Sequence, residues 1–182
     1  ARSGLIVGAG DRSDRFGYWP GRLARARVGE QVLVPPRDHA LQVIDVDDLA
    51  AWLVRCAVDR TGGIFNAMGE PTTLGALFEA CVAAVPESPE LVEAPEVWLQ
   101  RSGVRPWMGP DSLPLWLPQP EYAGFMTRDT RAAGASGLRH RPLTEVIASA
   151  LAWERERGLD RDRRAGLTPA AERDLLERLT SR

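Results

Sequence analysis

The pattern of apolar and polar residues is clearest in residues 40–59, where a strand pattern changes into a helix pattern. Leu41, Val43 and Ile44 are β-prone residues that predict a short strand. After them, apolar residues recur at spacings of three and four, which places them on one face of a helix. These residues are Leu49, Trp52, Leu53, Cys56 and Ala57. At the change, Asp47 and Asp48 suit the positive end of a helix, an effect of about 1 kcal/mol.

The rest of the chain shows the same alternation of short strands and helices. The predicted strands are residues 5–7, 31–34, 41–44 and 64–67. The predicted helices are residues 21–28, 74–85, 95–103, 129–137, 143–153 and 168–179. Pro35 and Pro36 predict a turn, so we expect residues 31–34 and 41–44 to pair as a hairpin. An α/β chain follows.

The glycines after the first strand raise the question of a dinucleotide-binding loop. Such a loop needs a helix that opens at its last glycine, so that the helix N-terminus faces the pyrophosphate. Here Gly17 and Pro20 argue against a helix directly after Gly8 and Gly10, and Asp11 would repel phosphate. We therefore interpret Gly8 and Gly10 as a turn.

The composition excludes several classes of function. Hydrophobic residues make up 44% and charged residues 26%, which is typical of a soluble globular domain. The net charge of −2 argues against a nucleic-acid partner, because phosphate binding requires a basic surplus. No apolar run approaches the about 18 residues of a membrane helix, so we expect no membrane partner and a cytoplasmic location. All 23 basic residues are arginine, so a lysine-dependent mechanism cannot reside in this chain.

The cysteines and histidines do not predict a metal site. Cys56 and Cys81 fall on the apolar faces of predicted helices, which favours buried, reduced thiols. His39 and His140 are far apart, and neither has ligands at a typical metal-binding spacing. We expect no bound metal.

Several segments together resemble one family. VIDVDDLA, residues 43–50, is similar to the "hVDDla" box of the extended short-chain dehydrogenase/reductases, the NAD-dependent epimerase/dehydratase family. RSGLIVGAGD at 2–11 resembles the family's "RxxNVYGPGD" strand, and GGIFNAMGEPTTLGALFEAC at 62–81 resembles its next strand and helix. RDTRAAGASGLRHRPLTEVIASALAW, residues 128–153, resembles its closing segment. The resemblance extends from residue 1 to about 157 and covers the family's C-terminal half.

The resemblance implies a fold, a cofactor and a partner. The fold would be the C-terminal part of a Rossmann-like reductase, with a few sheet strands and a small mixed substrate-binding lobe. Residues 1–157 would form this substrate-binding portion, and residues 158–182 a charged linker and an amphipathic helix. Ser3, Gly4 and Leu5 would lie nearest the nicotinamide of NAD or NADP. The full-length protein would bind that cofactor through an N-terminal half that is missing here, and this chain alone would bind none.

Two departures from the family pattern affect the expected chemistry. Tyr18 and Arg22 have the spacing of the family's catalytic Tyr and Lys, but Pro20 and Gly21 predict that no helix joins them. We therefore predict no catalytic residue in this chain and no turnover by it alone. Nucleotide-sugar enzymes of the family place a diphosphate-binding arginine where this chain has Leu41, which disfavours a nucleotide-sugar substrate.

Two irregular segments supply candidate substrate-binding residues. Arg15, Tyr18 and Trp19 lie in one predicted loop, either as a pocket wall or as anchors for the next helix. Residues 104–126 contain five prolines and many large apolar side chains, among them Trp107 and Trp116. This segment either lines a pocket for an apolar or aromatic molecule or packs as a lid.

The leading hypothesis is therefore the substrate-binding portion of an NAD(P)-dependent oxidoreductase or epimerase. Its substrate would be a small apolar or aromatic carbonyl or hydroxyl compound. The alternative is a non-catalytic binding or regulatory module derived from the same family. Alternating charges at 154–164 predict a solvated helix end, and an uncovered apolar sheet edge would make the chain self-associate.

Overall fold

Short strands alternate with seven helices in a computed structural model that describes residues 1–86 and 89–181. The helices are α1 (Tyr18–Arg25), α2 (Val46–Val58), α3 (Leu74–Ala83), α4 (Glu96–Arg101), α5 (Arg131–Ala135), α6 (Leu143–Arg157) and α7 (Pro169–Thr180). The strands are β1 (Arg2–Ser3), β2 (Leu5–Val7), β3 (Gln31–Val34), β4 (Ala40–Leu41), β5 (Val43–Asp45), β6 (Asn66–Ala67), β7 (Thr72–Thr73), β8 (Glu90–Glu93), β9 (Arg105–Trp107) and β10 (Ser112–Pro114). The predicted α/β class is confirmed.

The strands form two-stranded sheets that are mostly parallel. β1 pairs with β6, β2 with β5, β3 with β8 and β9 with β10, all in parallel, while β4 and β7 are antiparallel. The predicted hairpin between 31–34 and 41–44 is therefore wrong. Pro35 and Pro36 favour extended backbone and lead the chain away from β3 instead of turning it back. The side chains of Val32, Leu33 and Val34 are fully buried, as expected for a strand covered on both faces.

The junction between β5 and α2 forms as the sequence predicts, with its cap two residues earlier. Asp45 is the N-cap, and its Oδ1 accepts a hydrogen bond of 2.9 Å from the backbone N–H of Asp47. Asp48 accepts bonds from the backbone N–H and the Nε of Arg141, at 2.9 and 3.0 Å. Arg141 precedes α6, so the acidic first turn of α2 also fixes the approach to α6.

Residues 158–181 fold back onto the body of the chain. Glu172 of α7 accepts a hydrogen bond of 2.7 Å from Nε of Arg22 in α1, and one of 3.1 Å from the backbone N–H of Leu33 in β3. Leu175 and Leu176 of the same helix belong to the main hydrophobic core. The helix predicted to start at Thr168 is confirmed, and Thr168 Oγ1 caps it.

A buried ion cluster joins the loop before α1 to the end of α6, and it is called here the Asp14–Glu154 cluster. Asp14 and Glu154 are 2% and 1% exposed. Arg161 donates to both carboxylates, Arg157 lies 3.2 Å from Asp14, and Arg163 lies 2.6 Å from Glu154. The prediction of a solvated charge run at 154–164 is wrong only for the members of this cluster, because Arg157, Arg161 and Arg163 neutralise interior acids. The other charged residues of the run, Arg155, Glu156, Asp160, Asp162 and Arg164, are exposed as predicted.

The pKa of Asp14 makes the stability of the fold depend on pH in the acid range. Burial alone raises the pKa of Asp14, but the hydrogen bonds from Arg161 and the Arg164 backbone outweigh it, so the pKa lies below its ordinary value of 3.8. A carboxyl group with a lowered folded-state pKa stabilises the fold fully above that ordinary value. This stabilisation is lost as the pH falls through the lowered pKa.

We expect Asp14→Asn to lower the free energy of unfolding by about 3 kcal/mol at neutral pH, because it removes one of the two interior carboxylates that neutralise the half-buried Arg157 and Arg161. Urea denaturation followed by circular dichroism measures this value. The difference from the unsubstituted chain should shrink as the pH falls below 3.8. Asp174→Asn is the control, since Asp174 pairs with Arg178 on the exposed face of α7 and should cost under about 0.5 kcal/mol. Equal costs for the two substitutions would contradict the buried cluster.

Candidate functional site

A cavity of about 310 Å³ opens where β1 and β2 meet the loop before α1, the end of β9 and the segment before α5. Its lining residues are Ser3, Gly4, Leu5, Arg15, Met68, Trp107, Phe125, Met126 and Arg128. It is called here the Trp107 pocket. Five of the residues predicted from the sequence to contact cofactor or substrate lie together in it.

The β1–β2 segment forms one lip of the Trp107 pocket through Ser3, Gly4 and Leu5. The backbone N–H of Gly4 donates to the carbonyl of Ala67 at 3.3 Å, so β6 holds this lip in place. A Cβ atom on Gly4 would lie 2.7 Å from Cγ of Met68. Any side chain at position 4 would therefore displace Met68, which also lines the pocket.

The opposite wall is aromatic and carries a positive charge. The Trp107 and Phe125 rings pack edge to face, with centroids 5.5 Å apart. The guanidinium of Arg15 lies over Trp107, with Cζ 5.1 Å from the ring centroid, and Nε of Arg15 donates to Oγ of Ser13 at 3.2 Å. These contacts hold Arg15 as a fixed part of the wall.

Trp107 itself has a costly backbone conformation. Its φ of 68° lies in the left-handed region, which a bulky residue rarely occupies. Such strain costs on the order of 1–3 kcal/mol and concentrates at ligand sites. Trp107 pairs with Pro114 of β10, and its N–H donates to the carbonyl of Trp116, just after β10, at 2.9 Å. These contacts maintain the conformation.

Three other predicted substrate-binding residues lie in the core instead. Tyr18 is 1% exposed, and Trp19 and Trp116 are fully buried. Nε1 of Trp19 donates to the carbonyl of Pro114 at 2.8 Å, and Nε1 of Trp116 donates to Glu96 at 3.2 Å. For these three the alternative of structural anchoring replaces the substrate-wall interpretation, because the polar atom of each indole already has a partner inside the protein and the phenol ring lies in the interior.

The prediction that Pro20 and Gly21 interrupt the helix around Tyr18 and Arg22 is also wrong. α1 begins at Tyr18, so Pro20 falls in the first turn, where its missing N–H costs no hydrogen bond. The two side chains still cannot act as the family's proton-transfer pair. Burial raises the pKa of Tyr18 far above its usual value, and Arg22 is in a salt bridge with Glu172.

The sequence analysis missed four residues of the Trp107 pocket: Met68, Phe125, Met126 and Arg128. Phe125 and Met126 lie within residues 104–126, which were expected to line a pocket or pack as a lid. The segment in fact does both, because Leu113, Leu115 and Trp116 are buried in the core. Met68 and Arg128 are not part of any periodic apolar pattern in the sequence. The pairing of β1 with β6 brings Met68 to the pocket, and the hydrogen bonds of Gln42 bring Arg128 there.

Gln42 is a buried side chain that positions the segment carrying Arg128. It is 1% exposed. Its Oε1 accepts from the backbone N–H of Arg128 at 2.7 Å, and its Nε2 donates to the carbonyls of Arg128 and Gly69 at 3.0 and 3.2 Å. One amide thereby joins the β4–β5 link to two segments at the edge of the pocket.

Outside the Trp107 pocket, the other features that could indicate a function are reactive thiols, metal-binding groups and membrane-spanning helices in the described part of the chain. Cys56 and Cys81 are free thiols, and burial raises the pKa of Cys81. Residues 1–86 and 89–181 contain no group of three or more histidine, cysteine or acidic side chains that could hold a metal ion. Within those residues no helix combines the length and apolar character needed to cross a membrane.

We expect Gln42→Leu to destabilise the chain by about 1–3 kcal/mol, because it keeps the side-chain volume but removes the part-buried hydrogen bonds to the backbone of Arg128. Amide hydrogen exchange should accelerate most at Arg128. Gln100→Leu makes the same change at an exposed position of α4 and should leave stability and exchange unchanged. Unchanged amide exchange at Arg128 in the Gln42 variant would show that the hydrogen bonds of Gln42 do not hold this segment.

No family model matches the sequence, and no curated protein matches it significantly. Among solved structures, the chain is similar to the Bordetella bronchiseptica enzyme WbmH in complex with NAD+, with 25% identity and a TM-score of 0.50 over 85% of this chain and 44% of that one. It is similar in fold to RMD from Pseudomonas aeruginosa complexed with NADPH, with 15% identity and a TM-score of 0.59 over 86% of this chain and 47% of that one. The structure of gox2253 gives 17% identity and a TM-score of 0.52 over 87% and 49%.

The chain thus spans less than half the length of each of these three structures, and two of them were solved with a nicotinamide dinucleotide. The resemblance seen in the sequence is confirmed at the level of the fold: the chain is structurally similar to NAD(P)-dependent enzymes of the epimerase/dehydratase type, the extended short-chain dehydrogenase/reductases.

Proposed function

We propose that this chain is the substrate-binding portion of an NAD(P)-dependent oxidoreductase or epimerase. The observation that carries the proposal is the convergence of Ser3, Gly4 and Leu5 with Arg15 and Trp107 around one pocket. The sequence predicts cofactor contacts for the first three residues and substrate contacts for the last two. A site for hydride transfer needs the two ligands side by side, and the presence of both sets of residues around one pocket supports the proposal.

The lip of the Trp107 pocket fits the nicotinamide end of the cofactor. Gly4 has no side chain and is closely backed by Met68, so the backbone at Ser3, Gly4 and Leu5 can face a flat ring. NAD(P) would supply or accept the hydride there. The pyrophosphate would bind in the partner half, because the first helix after Gly8 and Gly10 begins only at Tyr18.

The wall of the pocket favours a small apolar or aromatic carbonyl or hydroxyl compound. Its volume of about 310 Å³ lies at the lower end of the range of ligand pockets, ~300–1000 Å³. Trp107, Phe125 and Met126 supply apolar contact area. A nucleotide sugar is disfavoured, because Leu41 occupies the position of the family's diphosphate-binding arginine and is fully buried.

An apolar surface on α2 supports the proposal of a cofactor-binding partner half. Beside its buried Leu49 and Trp52, the helix has a second stripe in which Leu53, Val54 and Val58 are 42%, 64% and 75% exposed. Val54 and Val58 are four residues apart and therefore share one face of the helix, and Leu53 lies next to Val54. We propose that the cofactor-binding portion of a longer protein covers this stripe, and that two copies of this chain meet through it when that portion is absent.

We expect acetophenone, a neutral aromatic ketone, to bind the Trp107 pocket with millimolar affinity and to shift the NMR signals of Gly4, Met68 and Trp107. Trp107→Leu should weaken binding by about tenfold, because it removes the aromatic wall. Trp153→Leu is the matched control, since Trp153 is also half-buried beneath an arginine but lies outside the pocket. Equal affinity of both variants would contradict the proposed site.

Sedimentation velocity tests the stripe on α2. The chain should form dimers, and Leu53→Gln combined with Val54→Gln should shift the population to monomer, because the substitutions place amides on the apolar face. Val97→Gln changes an equally exposed valine on α4 and should leave the dimer unchanged. A strictly monomeric profile of the unsubstituted chain would contradict self-association.

A further inference from the structure

We infer that the substrate of the Trp107 pocket carries a negatively charged group, a carboxylate or a phosphate, next to its apolar body. The inference rests on the proposed function and narrows its substrate class. Two arginines, Arg15 and Arg128, line the pocket, and none of the lining residues is acidic. An apolar cavity with uncompensated positive charge at its wall is complementary to an organic anion.

Arg15 is an exception among the arginines of this chain. In residues 1–86 and 89–181, the other arginines that are buried or half-buried all form ion pairs with an acid. They are Arg22, Arg25, Arg37, Arg141, Arg157, Arg161 and Arg163. Arg15 is half-buried and has no acidic partner within the described chain. A partly desolvated cation is costly unless a counter-charge approaches it, and the pocket is where an anion can do so.

The contacts of Arg15 leave its outer edge available to a ligand. Nε donates to Oγ of Ser13, and the face of the guanidinium lies over Trp107. These two contacts fix the plane of the group without using its terminal NH₂ groups. A fixed guanidinium edge is the donor pair that binds a carboxylate or phosphate through two parallel hydrogen bonds. Because its ring stacks beneath the same guanidinium, Trp107 would contact the apolar body of that ligand.

Arg128 supplies a second charge from another segment. Gln42 holds the backbone of Arg128 by two hydrogen bonds, so the residue stays at the pocket although its side chain is exposed. The two arginines therefore have different roles, because Arg15 is half-buried and the side chain of Arg128 is exposed. Arg15 would bind the anionic group directly, and Arg128 would mainly increase the local positive potential.

The test compares benzoylformate with its methyl ester, which has the same aromatic ketone but no charge. Isothermal titration calorimetry on the full chain should show about tenfold tighter binding of the carboxylate, the gain expected for one bidentate charge-assisted contact. Arg15→Gln should remove this preference and leave the affinity for the ester unchanged. Arg15→Lys should restore only part of it, because an ammonium group lacks the planar fork. Arg12→Gln, in the same loop but outside the pocket, should change neither affinity.

Benzoylphosphonate distinguishes the two anion types: tighter binding than benzoylformate assigns a phosphate-like group, and weaker binding assigns a carboxylate. If Arg15→Gln does not fold, rising salt should weaken binding of the carboxylate and not of the ester to the unsubstituted chain. Equal affinity for benzoylformate and its ester would overturn the inference while leaving the proposed pocket intact. Failure of both compounds to bind would overturn the inference together with the proposed function.

Discussion

Neutralisation of two interior carboxylates by arginines from one short segment is the interaction on which this structure depends. Asp14 and Glu154 lie in the interior, where an isolated charge is strongly destabilising. Arg157, Arg161 and Arg163 supply the counter-charges. The cluster ties the loop before α1 to α6 and to the chain that leads to α7. It also determines where the pocket wall begins, because Asp14 immediately precedes Arg15.

The Trp107 pocket is assembled from short elements that are each held by a different contact. β6 holds the lip at Gly4, β10 holds the strained backbone of Trp107, and Gln42 holds the segment at Arg128. None of these contacts is itself part of the pocket surface. The lining is therefore rigid at several independent points, a property that a site for orienting a small substrate requires. Residues 104–126 can line the pocket because their other apolar side chains anchor them in the core.

The resemblance to enzymes solved with NAD+ and NADPH gives these features a common interpretation. A pocket with a bare backbone lip, an aromatic wall and an unpaired arginine suits a substrate that is presented to a flat cofactor. The second apolar stripe of α2, which includes Leu53, Val54 and Val58, is exposed. The chain matches less than half of each neighbour's length.

By itself the sequence determined the α/β class, the family resemblance and the helix α2, and it predicted the candidate residues Ser3, Gly4, Leu5, Arg15 and Trp107 that line one pocket. Those conclusions depend on local periodicity, capping and motifs, which short stretches of chain encode directly. Only the tertiary structure decided that β3 pairs with β8, that Arg157, Arg161 and Arg163 pair with interior acids, and that Tyr18, Trp19 and Trp116 are core residues. Strand partners and burial depend on contacts between residues far apart in the chain. A loop tryptophan at a ligand and one in the core look alike in sequence, because only the surrounding elements decide which of them reaches a cavity.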